Sequence, residues 1–485
     1  MTDIDKIIEL LHNPPKKDVA LITKAYAFAE KAHKGAKRFT GELYFAHAFE
    51  TAKNLALFGV DSPSIVAGFL HDVLEDGDVN EETLEKEFGK EILFLVKGVT
   101  KLGTLKYHGV ERHVESLRKL FIATSYDVRV LIIKLADRLH NLQTLDGHPK
   151  KEKRERIALE TLEIFVPLAD RLGMGELKQE LEDYAFPYIY PQEYQTVYKL
   201  FQQKNKDLSQ YVEKFHLALQ NKITESGIKD IKTSYRIKGM YSLYNKLLRY
   251  EMDIDKIYDI VAFRVTVPTI ENCYQILGII HSEWKPLPGR IKDYIAIPKP
   301  NGYQSIHSTV FTGDGEIVEI QIRTKQMHRE AQYGIASHLA YKEKYLKHST
   351  KQPVVVKKQL GWIQELLRWQ KEVSESGVFL KDLKMDFFKF RVFVFTPKGD
   401  VVDLPLDSTP VDFAYAIHSD VGNHIAGATI NRKMVSLKTK LTSGDIVEII
   451  TKKNAQPTRK WLEYAKSNLA RRHINLCLQK NQGKE

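Results

Sequence analysis

The segment from 290 to 307 holds the densest group of residues that could do chemistry. It combines four cations or hydrogen-bond donors with one aromatic ring on a loop broken by Pro and Gly: Arg290, Lys292, Lys299, His307 and Tyr303. Charged donors bind phosphates, and a flat ring can stack on a base. The pattern therefore predicts a nucleotide-binding loop with an exposed tyrosine. For this stretch alone, a solvated basic loop remains the alternative.

A second group of candidate residues follows the apolar stretch that begins after Ser62. We expect a helix with Ser62 as N-cap and Pro63 at its first position. Near the end of this stretch come four polar residues, His71, Asp72, Glu75 and Asp76. Residues four apart lie on one helical face, so these groups should emerge together from an otherwise apolar helix.

Further ligand types occur elsewhere in the helical region. A lone buried histidine is more often a core residue, but His47 ends one segment and Asp137 interrupts an apolar helix. With His71 and Asp72 they form a mixed nitrogen and oxygen set that suits Mn²⁺, Fe²⁺ or Zn²⁺. Such a metal lowers the pKa of a bound water and polarises a phosphoryl oxygen. The acidic pair one turn after Asp72 would then orient that water and move protons.

Two more carboxylates, Asp259 and Glu319, lie on predicted strands. Glu319 shares one strand face with Gln321 and Arg323, opposite an apolar face. A polar face on a core strand is costly unless it binds something, and paired carboxylates often hold Mg²⁺ against nucleotide phosphates. A strand-to-helix junction upstream adds three cations and a hydroxyl, from Arg236, Lys238, Ser242 and Lys246.

The totals favour a multidomain globular protein with polyanionic partners. Its 485 residues indicate about three domains, and its net charge of +11 suits nucleotides, RNA or an anionic surface. Two cysteines are too few for a disulfide framework or a thiolate zinc site. The N-terminus has no apolar signal core, and no run reaches the ~18 apolar residues of a membrane helix. We therefore expect a cytoplasmic protein with no membrane partner.

Changes of periodicity divide the chain. The helical pattern gives way at Pro187 and Pro191, and strands are predicted at 257–267 and 316–323. Two further strands, at 391–396 and 445–451, indicate a small β-rich module. The predicted divisions are a helical domain (1–195), an α/β domain (196–345), a helical linker (346–387), the β-rich module (388–452) and a basic helical tail (453–485).

The spacing H…HD…D resembles the HD phosphohydrolase superfamily, and nearly all of 1–452 resembles a long-form RelA/SpoT-type alarmone synthetase and hydrolase. The stretches that carry the second resemblance are Tyr-Arg-Ile-Lys-Gly-Met-Tyr-Ser, Tyr-Asp-Ile-Val-Ala-Phe-Arg, Lys-Asp-Tyr-Ile-Ala-Ile-Pro-Lys-Pro-Asn-Gly-Tyr-Gln-Ser-Ile-His and Glu-Ile-Gln-Ile-Arg-Thr. The β-rich module resembles a TGS domain. The resemblance implies an all-α HD hydrolase domain, an α/β nucleotidyltransferase-like synthetase domain and a small β-grasp TGS domain.

In that family the first domain removes pyrophosphate from the 3′ position of (p)ppGpp with Mn²⁺. The second transfers pyrophosphate from ATP to the 3′-hydroxyl of GDP or GTP with Mg²⁺ and releases AMP. The resemblance implies that Glu319 acts with Asp259 at the second metal. It assigns nucleotide contacts to Arg38 and Asn141 in the hydrolase, Arg236 and Arg264 around adenine, Lys238, Ser242 and Lys246 at the ATP phosphates, Tyr303 on guanine, and Lys299, Asn301 and His307 at the acceptor.

Some residues depart from the family's pattern. Ala36, Phe39 and Leu43 stand where the family usually has Gln, Lys and Pro, and Ala48 stands where a Pro usually follows the histidine. Phe39 in place of a cation should affect the KM of the hydrolase more than its chemistry. In contrast, Arg290-Ile-Lys-Asp matches the basic form that the family associates with bifunctional members.

We therefore expect a bifunctional enzyme of the stringent response, which binds ATP, GDP or GTP, and (p)ppGpp. A synthetase with a weakened hydrolase is one alternative. Another is an RNA- or ribosome-bound stress sensor, in which the TGS-like module contacts deacylated tRNA through His418. A general HD nucleotidase would leave residues 231–323 unexplained. The sequence ends soon after the TGS-like module, so the family's later regulatory domains are expected to be absent.

Overall fold

The computed structural model describes residues 3–11, 13–76, 79–100, 109–313, 316–339 and 391–482. They form two compact units, one within 1–371 and the other within 372–485. The predicted linker, 346–387, lies outside the described residues. No described helix is both long and apolar enough to cross a membrane.

Helices build the amino-terminal part of the first unit, as the apolar periodicity predicts. They are α1 (Asp3–Leu10), α2 (Lys16–Ala32), α3 (Tyr44–Leu57), α4 (Ser62–Leu70), α5 (Val73–Asp76), α6 (Glu81–Val99), α7 (Gly109–Tyr126), α8 (Arg129–Gln143), α9 (Lys151–Glu160), α10 (Val166–Arg171), α11 (Gly175–Ile189) and α12 (Pro191–Glu225). A 3₁₀ turn, Leu145–Gly147, follows α8, and a π-helical turn, Thr161–Phe165, joins α9 to α10. Pro191 opens α12, where its missing N–H costs nothing, whereas Pro187 lies inside α11, so only one of the two prolines marks a helix boundary.

The helix α4 begins one residue earlier than the sequence predicts. Asp61 is its N-cap, and the Oδ1 atom of Asp61 accepts a hydrogen bond from the Ser64 backbone N–H at 3.2 Å. Ser62 therefore lies in the first turn and is not the cap. Asp61 also accepts from Arg129 on α8 at 2.7 Å, so one carboxylate both begins α4 and ties it to another helix.

The other end of α4 also differs from the prediction. The helix stops at Leu70, and His71 and Asp72 lie in a turn before the four-residue helix α5. The expectation that a single helical face carries His71, Asp72 and the acidic pair is therefore wrong. The turn frees His71 and Asp72 to point toward neighbouring helices.

A five-stranded mixed sheet, in the order β1-β2-β5-β4-β3, forms the second part of the first unit. Its elements are β1 (Lys232–Ile237), α13 (Met240–Leu247), β2 (Val261–Val267), α14 (Ile270–Glu283), β3 (Pro286–Asp293), β4 (Ile306–Phe311), β5 (Ile317–Thr324) and α15 (Lys325–Tyr333), with 3₁₀ turns at Leu248–Tyr250 and Ile254–Lys256. Strands β2 and β5 are parallel, and the other pairs are antiparallel. Both strand predictions are confirmed, although Asp259 lies in the turn before β2.

The two-residue period of the strands gives this sheet one apolar and one polar face. On β5, Val318, Ile320 and Ile322 are buried in a core with residues of α12 and α14. Glu319 alternates onto the opposite face. Its register partner on β2 is Ala262, so the polar positions of the two strands lie side by side.

One contact between the helical part and the α/β part lies at the loop between α10 and α11. The Ile335 backbone N–H donates to Leu172 O at 2.9 Å, and Asn301 Nδ2 donates to Asp170 O at 3.0 Å. Gly334 has a φ of +55°, and a Cβ there would run into the Leu172 carbonyl oxygen. A glycine is therefore needed at this contact.

The second unit contains two small sheets. One pairs β6 (Arg391–Phe395) with β7 (Val401–Pro405), and the other has the order β10-β8-β9. The remaining elements are α16 (Pro410–Ile417), α17 (Ser419–Asn423), β8 (Ile425–Ile430), β9 (Lys433–Val435), β10 (Val447–Thr451), α18 (Trp461–Tyr464) and α19 (Asn468–Gln482). Residues after 452 share its core, because Trp461 and Ile474 pack with Val411 and Tyr415.

The position of the cap can be tested by unfolding. Asp61→Ala removes a helix cap and one partner of Arg129, and should lower the free energy of unfolding of the helical region by about 2 kcal/mol. Urea unfolding followed by far-ultraviolet circular dichroism measures this change. The matched control, Ser62→Ala, should cost no more than about 0.5 kcal/mol. A larger loss for Ser62→Ala than for Asp61→Ala would contradict the assignment of the cap.

Candidate active sites

Two imidazoles and two carboxylates converge between α3, α4 and α8. The Nε2 atoms of His47 and His71 are 3.2 Å apart. Asp137 Oδ1 lies 3.2 Å from His47 Nε2, and Asp72 Oδ2 lies 3.2 Å from His71 Nε2. His47, His71 and Asp137 each offer a ligand atom within 4.8 Å of the others. Three of the four predicted ligands thus meet from segments distant in sequence, and Asp72 lies beside the two histidines.

Neighbouring groups orient these side chains for a divalent cation. His71 Nδ1 lies 2.8 Å from Gly68 O, so this nitrogen carries the proton and leaves Nε2 free as a ligand. The Tyr44 hydroxyl donates to Asp72 Oδ2 at 3.0 Å. Lys134 Nζ donates to Asp137 Oδ2 at 2.7 Å. The donor set and its supporting hydrogen bonds fit a metal with nitrogen and oxygen ligands.

His140 supports His47 from the other side. The two Nδ1 atoms are 2.7 Å apart, so one must be protonated and the other must accept. Burial, His47 and Arg38 lower the pKa of His140 to about 3, which keeps this ring neutral and able to accept. His47 can then donate through Nδ1 and present Nε2 to a metal.

The charges in this cluster balance one another at close range. Burial alone would lower the pKa of His71, but the carboxylates of Asp72 and Asp137 raise it to about 9. Although burial opposes ionisation, His71 at Asp72 and Lys134 at Asp137 hold the pKa values of both carboxyls well below their usual range. The two carboxylates therefore stay charged, and a divalent cation could take the place of the proton on His71.

The predicted nucleotide contacts of the hydrolase lie beside this cluster. Arg38 donates to Asn141 Oδ1 at 2.6 Å, and Asn141 Nδ2 donates to Asp137. Glu75 is exposed on α5 and lies within charge range of Lys119. The side chain of Asp76 lies outside the described residues.

The polar face of the sheet forms a second site around Asp259 and Glu319. Both carboxylates line one pocket, together with Lys246, Arg290, Lys292 and His307. Lys238 Nζ donates to Asp259 at 2.6 Å, and Lys246 Nζ donates to the same oxygen. Burial and Lys246 together lower the pKa of Lys238 to about 8.

Glu319 is held in its ionised form. His307 Nδ1 lies 3.3 Å from its Oε1 atom, and Gln321 Nε2 donates to that atom at 2.8 Å. Burial alone would raise the pKa of Glu319, but these neighbours and Lys238 lower it to about 2. A carboxylate with such a low pKa is better suited to bind a metal cation than to accept a proton as a general base.

Three arginines gather on the same face of the sheet. Arg264 and Arg323 lie on neighbouring strands, and their Nε atoms have no hydrogen-bond partner among the described residues. Burial, Arg323 and Arg236 lower the pKa of Arg264 to about 10. Like charges held close together are costly, so an anionic or aromatic ligand would stabilise this cluster.

The loop after β3 places Tyr303 beside His307. The Tyr303 hydroxyl lies 2.8 Å from His307 Nε2, and Lys299 Nζ lies 4.8 Å from the Tyr303 ring centre. Tyr303 is partly buried, so the expectation of an exposed ring is wrong. Lys299 already covers the ring and also lies 4.7 Å from the ring centre of Tyr294. A base that stacks on Tyr303 would have to displace this ammonium group or use the other side of the ring.

Three predicted contacts have hydrogen-bond partners outside these clusters. Ser242 donates its hydroxyl proton to Glu182 at 3.0 Å, and Asn301 binds the α10 backbone. His418 lies in the second unit, where its side chain is 65% exposed and its Nδ1 atom accepts from the Asp420 N–H.

Sequence reasoning missed His140, Tyr44 and Arg323 as site residues. Tyr44 precedes His47 by three residues, and His140 follows Asp137 by three. Helical spacing of this kind places side chains together, so it was an available signal. Arg323 shares a strand face with Glu319, but sequence alone does not reveal its missing partner.

Comparisons with known proteins identify three domains in this chain. Family models described as an HD domain, a region found in RelA / SpoT proteins and a TGS domain match residues 25–175, 235–345 and 392–451. A GTP pyrophosphokinase from Myxococcus xanthus is 44% identical over 474 residues, which are 96% of this chain and 61% of that protein. A guanosine-3′,5′-bis(diphosphate) 3′-pyrophosphohydrolase from Aquifex aeolicus is also 44% identical, over 99% of this chain and 67% of that protein.

The bifunctional (p)ppGpp synthase/hydrolase SpoT from Escherichia coli is 41% identical, over 96% of this chain and 65% of that protein. The chain thus spans about three fifths to two thirds of the length of these relatives. The three domain types that the sequence predicts are all present, in the predicted order. The chain belongs to the RelA/SpoT family of (p)ppGpp synthetases and hydrolases.

Proposed function

We propose that this chain both makes and degrades (p)ppGpp. The observation that carries the proposal is the presence of two separate carboxylate sites, one with two histidines and one with several lysines and an arginine. The names of the relatives cover both activities. Supplying ATP with GDP or GTP tests synthesis, and supplying ppGpp with Mn²⁺ tests hydrolysis.

In the proposed synthetase, Asp259 and Glu319 would hold Mg²⁺. This ion would offset charge on the pyrophosphoryl group during transfer. Lys238 and Lys246 would bind the ATP phosphates, and Arg236 and Arg264 would contact adenine. The acceptor nucleotide would lie against Tyr303, with His307, Lys292, Lys299 and Asn301 as the polar contacts that the family resemblance implies. Its 3′-hydroxyl would attack the β-phosphorus of ATP, and AMP would leave.

In the proposed hydrolase, His47, His71, Asp72 and Asp137 would hold Mn²⁺. When bound, this ion would activate water for attack on the 3′ pyrophosphate. Arg38 and Asn141 would bind the nucleotide, since their polar groups meet beside the ligand set. Glu75 and Asp76 remain the proposed groups that orient water and move protons.

A weakened hydrolase is the second candidate. Phe39 directly follows Arg38, and its side chain is 71% exposed. Its ring centre lies 4.8 Å from the ring centre of His148, and Lys153 Nζ lies 5.6 Å from it. An exposed apolar ring beside a nucleotide contact lacks the charge that the family usually has there.

The TGS domain is proposed to contact deacylated tRNA or ribosomal RNA through His418. The exposed imidazole and the basic residues after 452 support this proposal. Phosphate contacts of this kind release counterions and should weaken as salt increases.

Synthesis should depend on the charge of Glu319. Glu319→Gln removes a metal ligand, so AMP release from ATP plus GDP should fall about a hundredfold or more. Hydrolysis of ppGpp should continue, because its proposed ligands lie in another part of the fold. The control is Glu316→Gln, at an exposed carboxylate just before the same strand. Synthesis at the wild-type rate in Glu319→Gln would contradict the assignment.

Metal binding in the helical part should depend on Tyr44 as well as on the ligands. Tyr44→Phe removes the hydrogen bond to Asp72 and should weaken Mn²⁺ binding roughly tenfold. Asp137→Ala should abolish binding at this site. Calorimetric titration with Mn²⁺ measures both effects. Tyr188→Phe serves as the control, since its hydroxyl donates to Asp146 instead. Unchanged affinity in Asp137→Ala would rule out this ligand set.

The role of position 39 can be tested by replacing Phe39 with the lysine that the family usually has there. Phe39→Lys restores a cation beside Arg38 and should lower the KM for ppGpp roughly threefold or more, with little change in kcat. Steady-state kinetics with Mn²⁺ provides the measurement. Tyr126→Lys, at an exposed aromatic on α7, controls for added charge. A change in kcat alone would mean that position 39 does not contact the nucleotide.

A further inference from the structure

The helix α13, which carries Ser242 and Lys246, has no cap of its own. Gly239 precedes it and has no side chain to offer. The cap comes from α11, 58 residues earlier in sequence: Asp183 Oδ1 accepts from the Tyr241 backbone N–H at 3.1 Å. The Met240 N–H also approaches this carboxylate. A cap from another helix satisfies N–H groups that would otherwise lack a partner.

The contact is close enough to restrict residue 239. A Cβ at Gly239 would lie 2.5 Å from Asp183 Oδ2 and 2.7 Å from Gln179 Cγ. Both distances are shorter than any ordinary van der Waals contact. A larger residue would therefore push α11 away from the start of α13.

Glu182 adds a second link between the same helices. Its Oε2 atom accepts from the Ser242 hydroxyl at 3.0 Å, and the residue is only 6% exposed. Phe186 on α11 packs against Tyr241 and Tyr244, with ring centres 5.3 and 5.2 Å apart. The start of α13 is thus fixed by two carboxylates and an aromatic cluster.

We propose that Glu182 and Asp183 are positioning residues of the synthetase, which hold α13 so that Ser242 and Lys246 can receive the phosphates of ATP. This inference rests on the proposed synthetase activity. It makes α11, which lies before the 235–345 region that the RelA/SpoT family model matches, a part of the ATP site. The loop that carries Lys299, Asn301 and Tyr303 lies between β3 and β4 and not on α13. Substitutions at Glu182 and Asp183 should therefore weaken the binding of ATP and not that of GDP.

The hydrogen bond between Glu182 and Ser242 is compatible with phosphate binding by Ser242. Burial raises the pKa of Glu182 to about 7, although Lys178 opposes the shift. The protonated form, which can itself donate to the Ser242 oxygen, is therefore accessible near neutral pH. Ser242 could then turn its own proton toward a phosphate while remaining held by α11.

Substitutions at Asp183 separate capping from general support. Asn also caps helices, so Asp183→Asn should bind an ATP analogue with a methylene group between its α- and β-phosphorus within about twofold of the wild type. Asp183→Ala should bind it roughly fivefold more weakly or worse, which corresponds to the loss of one cap. The KM for GDP should stay within about twofold in both variants, because the acceptor contacts are untouched. Calorimetry with Mg²⁺ measures analogue binding without requiring turnover.

Two controls keep the test decisive. Tyr184→Ala alters an exposed side chain of the same helix outside the contact and should bind the analogue like the wild type. Gly239→Ala disturbs the contact from the other side and should reproduce Asp183→Ala, and thermal unfolding verifies that each variant is folded. Unchanged or tighter analogue binding in Asp183→Ala, equal damage from Asn and Ala, or equal weakening for GDP would overturn the inference. A wild-type chain that binds the analogue but makes no (p)ppGpp would instead overturn the proposed function.

Discussion

Charges that are removed from water must be balanced by other charges nearby, and this constraint shapes both candidate sites. In the helical part, Asp72 and Asp137 are offset by His47, His71 and Lys134. A buried ion without partners would cost several kcal/mol. The two carboxylates lie close enough together to stabilise the proton on His71, and the same closeness makes them suitable ligands for a divalent cation. Structure and chemistry therefore depend on the same balance.

In the second part, the sheet imposes the arrangement of charge. Alternation along β5 sends apolar residues to the core and Glu319 to the opposite face. Because β2 runs parallel beside it, Arg264 and Gln321 occupy the same face at the same level. One side of the sheet thus stabilises the fold, and the other side collects the groups that can bind a nucleotide. The turn before β2 adds Asp259 at the edge of this face.

Sequence predicted those features that follow from local periodicity. The apolar alternation of β5 and the interruption of α8 by Asp137 both indicated polar groups held at fixed positions. Local patterns were less reliable at element ends. Both Asp61 and Ser62 are good caps, and no local pattern shows the contact with Arg129 that also holds Asp61 at the start of the helix. The loop position of Tyr303 predicts an exposed ring, but in the structure Lys299 and His307 contact this side chain and partly bury it.

Contacts between distant segments were beyond the reach of sequence patterns. Nothing local to Asp183 indicates that it caps a helix in the synthetase part, and nothing local to Arg323 shows that its Nε atom has no hydrogen-bond partner among the described residues. Both features arise when separate elements pack together. The resemblance to a known family supplied residue roles at the first site and the second, but it did not supply these supporting contacts.

The central claim is that one chain carries two chemically distinct nucleotide sites. Product analysis of the purified wild-type protein tests this claim most directly. With ATP, GDP and Mg²⁺, chromatography should show equal amounts of AMP and ppGpp, and neither should form without GDP. With ppGpp and Mn²⁺, it should show GDP and pyrophosphate. Release of AMP that does not depend on GDP, or breakdown of ppGpp to orthophosphate, would contradict the account.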